Sequence, residues 1–451
     1  MRHAWSSTLT YVLVTAGATI GFGATWRFPY LVGENGGGAY VLVFIIAMFV
    51  IGIPMILVEN VIGRRASVNA LDAYDPAHQK KDFSKIWKIA GLMGLLGAYG
   101  IIAYYMVLGG WVLTYIFNIL GGNLDLSSPI SKEITQSFYK ENIEYNPLMI
   151  SFYTLVFVLL NYIVLIRGLG DGIERAMRFL MPLLILCLIG VVIRNLTLEG
   201  ASEGIKFYLY PDFSKINAKL FIAVLGQVFF ALSLGFAVML TLSSFLHKRE
   251  NMLKTALLTA IINTVIAVLA GFMIFPSLFT FDLVPDSGPR LVFEVLPIVF
   301  SKMYFGSIVA LAFFVLLLTA AFTTSITLYE PLITVAQEKL KFSRKKATFW
   351  VLFLTFILGN LPCILAYGAL RDVRILDKNI FDAFDFISGN IFFVLTALLS
   401  AIFVGWILKE DAKKELLNGF SKKSVVDLWF YYVKFIVPIV ILVVFYNGIF
   451  T

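Results

Sequence analysis

Gly17-Ala18-Thr19-Ile20-Gly21-Phe22-Gly23 lies in the middle of an apolar run extending from about residue 7 to about residue 30. Three glycines in seven positions are unfavourable in a helix, since each costs about 1 kcal/mol relative to alanine in a helical interior. A milder interruption, Ala231-Leu232-Ser233-Leu234-Gly235-Phe236, falls in a second apolar run at about 219–246. On the residues alone, small side chains in such runs fit either close helix packing or unwound backbone. Their position in the chain favours the second.

Nine further stretches reach the length of about 20 mostly apolar residues that a helix needs to cross a bilayer core about 30 Å thick. They lie at about 39–62, 86–120, 148–166, 176–194, 254–279, 303–336, 348–370, 386–408 and 428–449. None alternates with period two over ten-residue segments, which argues against an outer-membrane barrel. The chain is 59% hydrophobic and 14% charged, with a mean hydropathy of +0.87, against about 25% charged in ordinary globular proteins. The expected fold class is therefore an all-α polytopic membrane protein. Numbered along the chain, the interruptions fall in spans 1 and 6. If spans 1–5 (about 7–194) and 6–10 (about 219–408) are two five-helix repeats, each break sits in the first helix of its repeat, the arrangement that best marks a transporter's binding site. Five is odd, so the second repeat is inverted relative to the first. A peripheral helix at about 428–449 completes a single transporter domain over 1–451. Unwound backbone in a membrane costs several kcal/mol per unsatisfied group; a substrate and a cation would satisfy it.

Of the 36 Lys and Arg, 23 fall on the side holding the N-terminus and 11 on the other, with Arg27 and Lys434 inside spans. This asymmetry predicts a cytoplasmic N-terminus, an outside C-terminus, and a multi-pass protein of the plasma (inner) membrane. The basic residues occupy short loops and form no continuous face for nucleic acid. The first 25 residues lack a signal peptide's short apolar core and cleavage site, so span 1 is expected to be retained. Cys187 and Cys363 fall in apolar segments and predict no structural disulfide. His3, His78 and His247 are the only histidines, and no HExxH or cysteine cluster accompanies them. An enzyme is not expected. A channel is disfavoured by the lack of a continuous polar lining.

Trp26-Arg27-Phe28-Pro29-Tyr30, four further residues, and then Asn35-Gly36-Gly37-Gly38-Ala39-Tyr40 resemble the signature of the neurotransmitter:sodium symporters. The likeness continues in Gly226-Gln227-Val228-Phe229-Phe230, Ser233-Leu234-Gly235-Phe236, Thr323-Thr324-Ser325 and Asp385-Phe386, and so covers nearly the whole chain. It implies the LeuT-type fold of two inverted five-helix repeats plus an eleventh helix. It also implies an amino-acid site between spans 1, 3, 6 and 8. There the amides of Phe22 and Gly23 and the hydroxyl of Tyr105 would receive the carboxylate at electropositive half-helix N-termini. Carbonyls near Ala18, Phe230 and Ser233 would face the ammonium. Ile101, Tyr105, Phe230, Phe236, Thr324, Ser325 and Leu328 would select the side chain. Gly21 stands where monoamine carriers are acidic, so a neutral apolar or aromatic amino acid is expected.

The resemblance further implies a sodium cage made by the carbonyls of Gly17, Ile20 and Ala320 and the hydroxyls of Thr323 and Thr324. The family's other sodium site draws on an Asn and a Thr where this chain has Ala24 and Ala231, leaving Asn263; Ala267 replaces the Glu or Ser tied to chloride behaviour. One Na+ and no chloride requirement are expected. Arg27 with Asp385 and Arg2 with Glu338, the latter beside Trp5, match the outer and inner gate pairs, although Phe245 replaces a supporting tyrosine. Glu59 and Gln227 would hydrogen-bond the broken backbone. Gly172 and Pro182 resemble an arrangement that unwinds span 5 and lets water reach Thr323 and Thr324. The expected function is sodium-coupled uptake by alternating access. The alternatives are a non-transporting amino-acid sensor on the same fold and a carrier driven by protons. The partners are the amino acid and the lipid bilayer.

Overall fold

The computed structural model describes residues 5–283 and 290–450. Among the described residues nine helices are long and apolar enough to cross a membrane: Gly38–Ala66, Lys85–Leu120, Pro147–Leu165, Leu169–Leu196, Met252–Thr280, Gly306–Lys339, Arg344–Leu365, Ile380–Leu408 and Lys423–Ile449. They correspond to spans 2–5 and 7–11. Span 1 is a bent pair, Thr8–Thr19 and Gly23–Glu34, that meets at 56°. Span 6 is likewise divided, into Ala218–Ala231 and Val238–Ser243. Among the described residues no strand forms beyond isolated bridges.

Both breaks have local causes. Ser7 caps the first half of span 1 by accepting from the amide of Thr10, a favoured N-cap arrangement. That half ends where Ile20 leaves helical geometry at φ −98°, ψ 65°. In span 6 the backbone turns left-handed at Ser233, Gly235 and Ala237. Left-handed geometry is cheap only for glycine, and at Gly235 a Cβ would strike the carbonyl of Phe393 in span 10. Ser233 and Ala237 hold the same conformation with a side chain, a strained state that persists only where surroundings over-determine it.

Burial sorts the spans into an interior and a jacket. In its most apolar window span 3 is 78% buried, whereas spans 4, 5, 9 and 11 are only 33–44% buried. Their exposed Leu155, Leu159, Phe179, Leu186, Phe349, Leu354, Ile439 and Leu442 make an apolar exterior suited to lipid tails. Span 11 leans on span 10, where Asn390 donates to the carbonyl of Gly448 at 3.1 Å and Lys434 lies 4.4 Å from the Trp406 ring. Cys187 and Cys363 are free and buried in spans 5 and 9.

Candidate functional site

Each break leaves backbone groups without helical partners, and side chains from neighbouring elements meet them. Gln227 Nε2 in the first half of span 6 donates to the carbonyl of Gly23 at 2.7 Å, and Ser233 Oγ donates to that of Ala18 at 2.9 Å. Glu59 Oε1 of span 2 accepts from the amide of Gly235 at 2.6 Å. Asn263 Nδ2 of span 7 donates to the carbonyls of Thr19 and Ala231, one from each break, at 2.9 and 3.1 Å. Sequence reasoning named Glu59 and Gln227 for this work but missed Asn263 as a backbone clamp. A lone asparagine in an otherwise apolar stretch of span 7 was its signal.

Between the breaks lies a small cavity of about 20 Å³. Its walls are Ala18, Thr19, Gly21 and Gly23 of span 1, Ile101 and Tyr105 of span 3, Phe230, Ser233 and Phe236 of span 6, and Thr324 and Leu328 of span 8. These include most of the expected substrate-binding residues; Thr19 is an addition. Phe22 is turned instead toward a larger neighbouring cavity, while its amide donates to the Tyr105 hydroxyl at 3.2 Å. Ser325 does not line the small cavity. Its hydroxyl donates to Asn161 Oδ1 of span 4 at 2.7 Å and to the carbonyl of Phe322 at 3.1 Å. The physical reason is helical phase: Thr324 and Leu328, four apart, share the cavity face, and the next position turns about 100° away. Gly21 is tightly surrounded, since a Cβ there would collide with the Tyr105 hydroxyl and come within 2.7 Å of Thr324 Oγ1.

Of the residues expected to hold a cation, Gly17 and Thr324 meet across spans 1 and 8. Thr324 Oγ1 donates to the carbonyl of Gly17 across the span 1–span 8 interface at 3.0 Å, and Thr323 Oγ1 donates to Ala320 of its own helix at 3.0 Å. Met177 and Met181 of span 5 pack against Gly17, so that a Cβ there would displace the Met177 side chain. Ile20, at the C-terminal end of the first half-helix, is fully buried. Half-helix C-termini and unwound carbonyls of this kind suit a hard monovalent cation.

The larger cavity, about 460 Å³, opens on the face opposite the N-terminus. It is lined by Arg27 and Asp385 together with Tyr30, Tyr104, Tyr139, Glu144, Arg290 and Asp382. Among the described residues no ion pair joins Arg27 to Asp385. The Arg27 guanidinium lies 4.2 Å from the centre of the Phe230 ring instead, so the expected outer pair is not closed in this conformation. Phe230, Tyr105 and Gly23 line both cavities, which makes the Phe230 ring part of the partition between them.

On the N-terminal face, contacts tie the start of span 1 to spans 5 and 6, beside a cavity of about 370 Å³ lined by Phe245, Glu330, Glu338 and Arg344. Trp5 Nε1 donates to the carbonyl of Leu242 at 2.9 Å, and its ring meets Phe245 edge-on. Ser6 donates through its amide and hydroxyl to Glu174 at 3.0 and 2.5 Å, and Thr8 Oγ1 donates to Glu250 at 2.7 Å. Arg2 lies outside the described residues. Glu338 accepts from the amide and side chain of Asn69 at 2.8 and 2.9 Å. The same corner holds Asp72, which is bonded to Asn69, Lys88 and Lys339. Burial opposes ionisation of Asp72, but hydrogen bonds from Lys339, Asn69 and Lys88 outweigh it and hold the carboxyl at about 2. Span 5 begins here in a widened turn, Leu169–Glu174. Gly172 lies within that turn and Pro182 within the helix that follows.

The chain matches the model of the sodium:neurotransmitter symporter family over residues 2–148 and 133–451. An uncharacterised sodium-dependent transporter of Haemophilus influenzae is 61% identical over 451 residues, covering 100% of this chain and 98% of that protein. A second, from Bacillus subtilis, is 38% identical over 445 residues, covering 98% and 97%. The crystal structure of MhsT in complex with L-phenylalanine superposes with a TM-score of 0.88 at 37% identity, over 99% of this chain and 100% of that one. Family and fold are those of transporters, not enzymes.

Proposed function

Since the chain belongs to the sodium:neurotransmitter symporter family, and is thus a multi-pass, sodium-dependent membrane symporter, we propose that it takes up a neutral apolar or aromatic amino acid with one sodium ion and without chloride. The observation that carries the substrate class is Gly21. With glycine there and no Asp or Glu elsewhere in the lining, the pocket holds no carboxylate for an amine, so the substrate must bring its own. Ile101, Phe230, Phe236 and Leu328 supply apolar walls, and the related MhsT was crystallised with L-phenylalanine. Gly17, Ile20, Ala320, Thr323 and Thr324 form the sodium cage, a reading supported by the Thr324–Gly17 contact. Ala24, Ala231 and Ala267 contribute no side-chain oxygen where relatives place further ligands.

The N-terminus is cytoplasmic in this reading, and the large cavity is the extracellular vestibule. Substrate enters past Phe230 and places its carboxylate on the amides of Phe22 and Gly23 and the Tyr105 hydroxyl. Arg27 then leaves the Phe230 ring for Asp385 and seals the vestibule. Unwinding of span 5 between Gly172 and Pro182, with release of the contacts of Trp5 and Ser6, lets water reach Thr323 and Thr324 and frees the sodium to the cytoplasm. One charge moves per cycle, worth about 2.3 kcal/mol per 100 mV, or roughly a fiftyfold gradient from the potential alone.

The test is uptake of labelled L-phenylalanine and a panel of other neutral amino acids into proteoliposomes under imposed sodium, proton and chloride gradients. Sodium-driven uptake with a Hill coefficient of about one, indifferent to chloride, is expected. Binding without counterflow would favour the sensor, and uptake driven by protons without sodium would favour the proton carrier. A Hill coefficient of about two would refute the single-ion reading.

A further inference from the structure

We infer that the Asn263 carboxamide takes the place of a second transported cation between the two breaks, and that this one residue sets the number of ions carried. The inference rests on the sodium-symport reading above and deepens it.

The first halves of spans 1 and 6 end at Thr19 and Ala231, and their C-terminal ends come together at one point. Each helix C-terminus carries roughly half a negative charge, and its last carbonyls have no partner within the helix. Two such ends facing one another attract a positive group. Asn263, fully buried in span 7, gives its single NH2 group to both terminal carbonyls at 2.9 and 3.1 Å. One hydrogen serves each carbonyl, so its donor capacity is spent.

The other end of the same side chain is informative. Asn263 Oδ1 is buried and has no hydrogen-bond partner among the described residues, although leaving a buried acceptor unpaired costs about 1–3 kcal/mol. The amide therefore keeps its orientation because of the two carbonyls. Turning it by half a revolution would set three oxygens against one another, an arrangement that holds only around a cation. Few further oxygens stand ready to complete such a cage. Ala24 and Ala231 are buried and offer methyl groups, and the nearby Ser233 and Thr264 hydroxyls bond Ala18 and Ala260. The NH2 is a neutral dipole fixed to the protein. It screens the two helix ends as an ion would but carries no charge across the membrane.

The substitution Asn263→Asp tests this directly. A carboxylate cannot donate to either carbonyl and, set between two electronegative helix ends, requires a cation. Bound sodium is counted with the radioactive ion on purified protein at saturating L-phenylalanine, and the sodium-to-phenylalanine flux ratio is measured in proteoliposomes. The expected counts are about one for the wild type and about two for N263D, with the flux ratio rising about twofold. A wild type that binds two sodium ions overturns the inference while leaving sodium symport standing. A folded N263D that still binds one overturns it as well, because a purely structural role would shift the melting temperature and not the ion count. A wild type that binds no sodium overturns the symport reading and this inference with it. Where N263D does not fold, the wild-type count carries the test: one supports the inference and two overturns it.

Discussion

Thr324→Val removes one hydroxyl and nearly preserves shape, so it isolates the contribution of a single oxygen to cation binding. In the structure Thr324 Oγ1 donates to the carbonyl of Gly17 at 3.0 Å in a fully protein-enclosed setting. A neutral bond of this kind contributes about 1 kcal/mol net, and interactions with a charged partner contribute about 1.5–3 kcal/mol. To act as a sodium ligand the hydroxyl must turn its lone pair to the ion and loosen its hold on Gly17. The valine variant loses both interactions, one from each state. The loss in sodium affinity is their difference, about 0.5–2 kcal/mol, or roughly two- to thirtyfold. The ion-free protein should itself be less stable by about 1 kcal/mol, because the Gly17 carbonyl loses its donor. The two effects separate in one experiment: thermal melting of detergent-solubilised protein in choline buffer, titrated with sodium. The melting temperature in choline should fall, and the sodium midpoint should rise. If the melting temperature falls while the midpoint stays where it was, Thr324 is a packing residue and the proposed cage is wrong.

Three further outcomes are expected. Phe230→Ala removes the ring that partitions the two cavities and the Arg27 guanidinium stacked on it, an interaction worth about 0.5–2 kcal/mol. Bound L-phenylalanine should dissociate several-fold faster in a filter-binding chase, and an unchanged rate would remove Phe230 from the gate. Glu330→Gln breaks the pair that Glu330 makes with Arg344 at 2.7 Å, where Glu330 is 1% exposed. Leaving Arg344 without its counter-charge should destabilise the protein by about 3–5 kcal/mol, seen as a large fall in melting temperature, whereas a change below about 1 kcal/mol would show that solvent reaches the site. Asp72 has a folded-state pKa of about 2, below its ordinary 3.8, so its stabilising contribution is present above about pH 4 and lost as pH falls toward 2. The difference in melting temperature between wild type and Asp72→Asn should therefore be constant near neutrality and vanish only in that acid window; a difference that disappears between pH 6 and 8 would contradict the assignment.

What the sequence made legible follows from which physical terms act locally. Span positions depend on apolar length, and the structural ends lie within a few residues of the expected ones for runs such as 86–120 and 148–166. The span 1 break was visible because three glycines stand close together. The span 6 break is carried partly by Ser233 and Ala237 in left-handed geometry, a conformation that no local propensity assigns to them and that only packing against spans 2 and 10 imposes. Ser325 and Thr324 are adjacent in sequence but face different helices, a difference of phase that composition does not carry. Arg27 and Asp385 were identified as a pair by resemblance, yet whether they touch depends on conformation, and here Phe230 holds the guanidinium.

The exceptions to the apolar composition share one physical problem, the satisfaction of backbone freed at two breaks. Gln227 of span 6 closes a carbonyl of span 1, Ser233 of span 6 closes another, and Asn263 closes one of each. Each break thus draws partners from outside its own helix. Since an orphaned backbone group in the membrane costs several kcal/mol, spans 1 and 6 cannot separate at their centres without leaving several such groups exposed at once. A rocking motion that keeps these bonds and moves the two spans together against spans 3 and 8 costs much less. The contacts across that second boundary include the Phe22 amide on the Tyr105 hydroxyl at 3.2 Å and Thr324 on Gly17 at 3.0 Å. Those are the groups proposed to bind substrate and sodium. Ligands that replace them bridge the boundary and bias its closure, because a ligand shifts a conformational equilibrium only through its differential contacts with the two states.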